Sequence, residues 1–302
     1  MQGPALDGSR ASGDTRPVTE FPTSLQALRD RYDAVLCDIW GVLHNGRGAF
    51  PAAVAALRAF RQSGGHVVLV SNVPKPRDPI PGQLDRLGCQ RDAWDAIVTS
   101  GDAIRAELIA RAPGPMFKIG PDDDEILWTG LGLTRARTID EAAFVAISGL
   151  NDPLHEDVGD YADLLAAARA RDLELLCANP DLVVRIGDRL VVCAGALAAE
   201  YVRLGGRAVM AGKPHAPIYR LAFAEIDALA GRIVDKRRIL AIGDGIGTDI
   251  TGANAEKIDS LFIASGVHGE VLKADGALDP ALLDAALARE GAHTRYIMEH
   301  LQ

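Results

Sequence analysis

The chain has 302 residues, 48% of them hydrophobic and 24% charged, which is enough to bury a large core and long enough for two domains. A formal net charge of −9 with no dense Lys/Arg cluster excludes a nucleic-acid footprint, and no stretch approaches eighteen consecutive apolar residues, which excludes a membrane span. What remains is a globular protein whose partner is a small molecule.

Residues 1–20 are rich in Gly, Ser, Pro, Asp and Arg and carry no apolar leader, so residues 1–22 read as a disordered tail. From Tyr32 onward strand and helix signals alternate: strand 33–37, helix 51–62, strand 66–71, helix 81–87, strand 95–98 and helix 101–111. This is the opening of a doubly wound parallel sheet. After the break Ala112-Pro113-Gly114-Pro115 a second alternation begins, with strands at 116–119, 144–148, 173–177, 182–186 and 189–193 and helices near 121–129, 157–170 and 195–204. The first pattern resumes at 208–212, followed by helix 215–230, strand 238–242, helix 248–256, strand 259–264 and a helical region from about 279. The expected organisation is therefore an α/β core over 23–113 and 208–302 with a smaller α/β domain, 114–207, inserted into it. Cys37, Cys89, Cys177 and Cys193 show no CxxC spacing and read as buried thiols of a reducing compartment, which places the protein in the cytoplasm.

Three apolar runs end on polar residues suited to phosphoryl transfer: residues 34–37 on Asp38, 67–70 on Ser71-Asn72, and 239–243 on Asp244. In open α/β sheets ligands bind beyond the carboxyl ends of the strands, so these termini converge on one site. Asp38, in a turn-rich loop with two glycines, is a candidate nucleophile able to split one displacement into two easier ones; alone it reads first as a loop cap, and the other strand ends reverse that order. Asp244 and Asp249 flank a glycine-rich turn, and paired carboxylates suit a hard cation, magnesium best, although Asp249 alone also reads as a first-turn helix residue. Ser71 and Asn72 can cradle phosphate oxygens or form an ST-turn, and Lys213, between Gly212 and Pro214, supplies positive charge.

Together these segments resemble the haloacid dehalogenase-like hydrolases, with their aspartate nucleophile loop, Ser/Thr strand end, lysine and acidic metal motif in the same order. The Gly46 to Pro51 stretch, the position of the insertion, Asn179-Pro180-Asp181, Gly195-Ala196-Leu197 and Gly212-Lys213-Pro214 look like the class IIA branch, which includes 4-nitrophenyl phosphatase-like proteins; the resemblance spans about residues 25–270. It implies a Rossmann-like core with an α/β cap and a magnesium ion held by Asp38, Asp244 and the main-chain carbonyl of Trp40. It also implies Ser71 and Lys213 on the phosphoryl group, Asp249 in support, Asn179 and Asp181 near the leaving group, and a homodimer formed through the cap. One departure stands out: phosphatases of this family usually carry an acid/base aspartate two residues after the nucleophile, where this chain has Trp40. Indole is a donor only and cannot do that job; His44 is the nearest titratable substitute. The leading reading is a magnesium-dependent phosphohydrolase acting on a small phosphorylated metabolite through an aspartyl-phosphate. The alternative is a non-catalytic or nearly inactive phosphometabolite-binding protein, and a phosphotransferase or a carbon–phosphorus or carbon–halogen lyase comes after both.

Overall fold

The computed structural model describes residues 19–186, 189–267, 271–274 and 277–302. In chain order the elements are β1 (Ala34–Asp38), α1 (Pro51–Gln62), β2 (His66–Ser71), α2 (Ile80–Leu87), β3 (Ala96–Thr99) and α3 (Ser100–Ile109). Next come β4 (Met116–Ile119), β5 (Phe144–Ile147), α4 (Ala162–Ala170), β6 (Glu174–Cys177), β7 (Val183–Ile186), β8 (Arg189–Val192), α5 (Ala194–Arg203) and β9 (Arg207–Met210). The chain then continues through α6 (Ala216–Ala230), β10 (Ile239–Gly243), α7 (Thr251–Glu256), β11 (Asp259–Ile263), β12 (Lys273–Ala274), β13 (Ala277–Leu278), α8 (Pro280–Arg289) and β14 (Tyr296–Met298).

Six strands form one parallel sheet in the order β14-β11-β10-β1-β2-β3. The side-chain period of two sorts its central strands between two cores. Val35 and Cys37 join Leu57, Phe60, Ile80 and Leu84 of α1 and α2 on one face, whereas Ala34 and Leu36 join Ile104, Ile218, Tyr219 and Ile226 of α3 and α6 on the other. Helices on both faces explain why β1 and β10 read as continuous apolar runs rather than alternating ones. α1 starts on Pro51, which needs no N–H partner at that position, and buries Ala53, Val54, Leu57 and Phe60 along one stripe. Fully burying Leu57 or Phe60 contributes about 2–3 kcal/mol each. A reciprocal Thr99–Asp102 capping box starts α3 directly from β3. The chain runs outward from β1 through β2 to β3 and later returns to β10 beside β1, so the strand order reverses at β1 and opens a crevice there.

The second parallel sheet has the order β4-β5-β6-β9, and the antiparallel hairpin β7–β8 stands apart from it. One correction concerns β9: the run 208–212, expected to resume the first pattern, begins inside β9 (207–210), which pairs with β6 and closes the cap's own sheet. A four-residue apolar run announces a strand but not which sheet receives it. Glu20, expected within the tail, instead pairs with β14 through Glu20 N–Arg295 O (2.9 Å) and Ile297 N–Glu20 O (3.1 Å); the rest of that expected tail through residue 18 lies outside the described residues. The helix expected over 121–129 is a short 3-10 segment, Asp122–Leu127, and the one expected from 248 begins as a π turn, Ile246–Ile250. No described helix is long and apolar enough to cross a membrane.

Candidate active site

The carboxyl ends of β1, β2 and β10 deliver Asp38, Ser71 and Asp244 to the crevice, and the turn after β9 adds Lys213. The register fixes their relative height, since Asp38 lies level with Val70 and Cys37 with Ile242. All are buried, with Lys213, Asp244 and Asp249 each only 4% exposed.

Lys213 is the hub. Its Nζ donates to Asp38 Oδ1 at 2.6 Å and to Asp249 Oδ1 at 2.7 Å. Burial opposes the ammonium charge, but Asp249 and Asp38 outweigh it and hold the lysine well above its ordinary pKa. Asp38 is pushed up by burial and pulled back by Lys213. Asp244, which accepts from Val267 N at 2.6 Å, is pushed up to about 7, first by burial and then by Asp249. Asp38, Asp244 and Asp249 each offer an oxygen within 4.8 Å of the others, against a single ammonium among the described residues. That excess of buried negative charge, made of hard oxygen donors, fits a divalent cation of the magnesium type.

Glycines make the crowding possible. At Gly41, with φ of +84°, a Cβ would sit 2.1 Å from Asp244 Oδ2, and at Gly266 a Cβ would sit 2.0 Å from the same atom. Asp249 also accepts from Gly245 N (3.1 Å) and Thr248 Oγ1 (3.3 Å), so it shapes its own loop as well as pairing with Lys213. The pairing with Lys213 has no local signal in the sequence, and neither do the Val267 and Thr248 contacts.

Ser71 Oγ accepts from Val73 N at 3.2 Å, an ST-turn that leaves its hydroxyl hydrogen available. Asn72 departs from expectation. Its Oδ1 accepts from Lys213 N (2.7 Å), and its Nδ2 donates to Lys213 O (3.0 Å) and to Asp181 Oδ1 (2.8 Å), leaving neither amide hydrogen for a phosphate oxygen. The reason is geometric: the buried backbone of Lys213 needs a donor and an acceptor, and an amide supplies both. Asn179 Oδ1 accepts from Asp181 N at 3.1 Å and so shapes the turn that carries Asp181.

Trp40 is half-buried, and its ring stands edge-on to His44 at 5.2 Å and 81°. Gly46, with φ of +81°, leaves room for the indole, because a Cβ there would lie 2.5 Å from it. His44 Nδ1 accepts from Gly46 N at 3.0 Å, and burial lowers its pKa, so the imidazole is neutral with its proton on Nε2.

A family model described as a haloacid dehalogenase-like hydrolase matches residues 35–134, and a companion HAD-hydrolase-like model matches residues 210–289. The solved structure of a haloacid dehalogenase-like hydrolase from Brucella suis superposes with a TM-score of 0.83 and 42% identity, covering 93% of this chain and all of that one. A D-glycerol 3-phosphate phosphatase from Mycobacterium tuberculosis is 25% identical over 246 residues, which span 81% of this chain and 66% of that protein. The structure of a glycerol phosphate phosphatase from the same organism, in complex with magnesium, gives a TM-score of 0.64 at 23% identity, covering 90% of this chain and 76% of that one. With a capped α/β architecture, the same family matched on both sides of the insertion and the likeness to the Brucella protein along almost its whole length, the chain belongs to the haloacid dehalogenase-like hydrolases.

Proposed function

We propose that this enzyme is a magnesium-dependent phosphohydrolase acting on small phosphorylated metabolites of the sugar-phosphate or glycerol-phosphate type. The observation that carries the reading is the buried Asp38–Lys213–Asp249 bridge beside Asp244 at the carboxyl ends of β1 and β10. The named activity of the Mycobacterium relative supports the substrate class.

In this reading an Asp38 oxygen attacks phosphorus and forms an aspartyl-phosphate, which water then hydrolyses. Lys213 neutralises charge on the non-bridging oxygens, and the Ser71 hydroxyl donates to one of them. Asn72 acts through Lys213, whose backbone it clamps. Asp38, Asp244 and the main-chain carbonyl of Trp40 would hold the magnesium ion, with Asp249 keeping lysine and loop in place. When bound, the ion supplies neutralisation of phosphate charge and orientation of the phosphoryl group. The four cysteines are free and buried, which suits a reducing compartment and the cytoplasm.

Phosphate release from a panel of sugar, polyol, acyl and aryl phosphates, with magnesium and with chelator, tests the proposal. Magnesium-dependent turnover of at least one ester is expected; equal turnover in excess chelator, or none on any ester, would overturn it. The homodimer through the cap belongs to the same proposal. It is supported by an apolar groove of about 380 Å³ between α5 and the β7–β8 hairpin, lined by Leu182, Val183 and Val192, and a monomeric mass by light scattering would remove it.

A further inference from the structure

A phosphate monoester with an alkyl leaving group releases a strongly basic oxygen, and a positioned proton donor is worth about 10²–10⁴-fold in rate. The carboxylates on the core side of this site are committed: Asp38 and Asp249 to Lys213, and Asp244 to Val267 N and the cation set. The Trp40 indole is a donor that does not titrate in water, and His44 is neutral with Nδ1 already accepting from Gly46 N.

One carboxyl group reaches the same place from the cap. Asp181 sits in the turn after β6, and its Oδ1 accepts from Asn72 Nδ2 at 2.8 Å across the boundary between cap and core. The same amide holds the backbone of Lys213, so a single side chain separates Asp181 from the catalytic lysine. Among the described residues Oδ2 has no hydrogen-bond partner. The turn is also rigidly seated. A Cβ at Gly195 would lie 2.1 Å from Pro180 O, and one at Gly212 would lie 2.7 Å from Pro180 Cδ.

We propose that Asp181 is the general acid and base of the reaction, with Oδ2 carrying the proton to the leaving-group oxygen; this rests on the phosphohydrolase reading above. In the first step an Asp38 oxygen bonds to phosphorus, the ester P–O bond breaks, and its electron pair leaves on the oxygen that takes the Asp181 proton. In the second, the Asp181 carboxylate takes a proton from water as the water oxygen bonds to phosphorus. The bond from phosphorus to Asp38 then breaks, its electron pair returns to Asp38, and both carboxyl groups are restored. The surroundings suit the role. Burial raises the Asp181 pKa, Asn72 and Lys213 lower it, Asp249 raises it, and the neighbouring Cys177 and Cys193 thiols, pushed to about 12 by burial, stay neutral.

Asp181→Asn keeps an oxygen for Asn72 Nδ2 but carries no transferable proton. Wild type and variant would be compared on 4-nitrophenyl phosphate, whose leaving group needs no proton, and on glycerol 3-phosphate, whose leaving group does. The expected result is a fall in kcat/KM of about 10²–10⁴-fold on the alkyl ester with no more than a several-fold change on the aryl ester. A burst of nitrophenolate equal to the enzyme concentration should also appear, because the second step has lost its base. The ratio of the two esters does not depend on how much variant is folded. Equal loss on both esters without a burst, or an unchanged ratio, overturns the assignment while leaving the phosphohydrolase reading intact. Wild-type enzyme that turns over neither ester nor any of the panel takes both down.

Discussion

Replacing Lys213 with methionine keeps an unbranched stem out to the ε position and most of the volume of the side chain while removing the ammonium that bridges Asp38 and Asp249 at 2.6 and 2.7 Å. Removing one partner of a buried ion pair costs about 3–5 kcal/mol when the other side stays charged. Here two carboxylates lose the one cation that the described residues place against them, so the upper end applies wherever both are ionised. Asp38 can escape by taking up a proton, since burial already raises its pKa in the intact protein. The cost should therefore depend on pH, small near pH 5 and large near pH 8. For a chain of this size 1 kcal/mol corresponds to roughly 2–3 °C in Tm, so the upper end gives a deficit of about 10–15 °C at pH 8. Thermal melts of both proteins in chelator, at pH 5 and pH 8, measure it. A deficit of the same size at both pH values, or none at either, would refute the claim that Lys213 compensates these carboxylates.

The intact protein should show a related dependence in chelator. Asp244 has its folded pKa raised to about 7 from an unfolded value near 4, so its contribution is fully present below about pH 4 and lost as pH rises through 7. Magnesium should consequently raise Tm more at pH 8 than at pH 5, and an equal shift at both would contradict the placement of Asp244 in the ion's shell. Asp38→Asn should abolish turnover with an unchanged circular-dichroism spectrum; wild-type hydrolysis by that variant would remove Asp38 as nucleophile. Gly212→Ala places a methyl 2.5 Å from Asn72 Oδ1 and 2.7 Å from Ser100 Oγ, so it should disturb the Lys213 clamp and cut kcat by tenfold or more, read by steady-state kinetics.

The polar strand ends were readable in the chain because burial forces β1, β2 and β10 to be apolar up to the residue where the sheet meets the crevice. Asp38, Ser71 and Asp244 mark those points. Lys213 was readable from the restricted turn that holds it. What Asn72 and Asp249 contact was not, since hydrogen bonds spanning 141 and 36 residues have no periodicity to announce them. The same holds for β9, whose sheet is decided by which neighbour it meets. β14 and the β12–β13 hairpin were missed because three and two residues are too few to show a period. The acidic run of the 3-10 segment at 122–127 mimics the first turn of a longer helix, so sequence pattern does not separate the two.

Met116, Phe144, Ala146 and Leu176 from the second sheet share one apolar cluster with Leu36 and Val70 from the first and with Ile104 and Leu108 from α3. An inserted domain is often imagined as a detachable module, yet here the oil is continuous across the junction. Excising residues 116–210 would uncover the α3 face and leave a sticky core, so a minimal version of this enzyme cannot be made by trimming. Exchanging caps between relatives would likewise require α3 to travel with the graft. The two sheets should melt in one cooperative transition, which links the firmness of the metal site to packing in the cap.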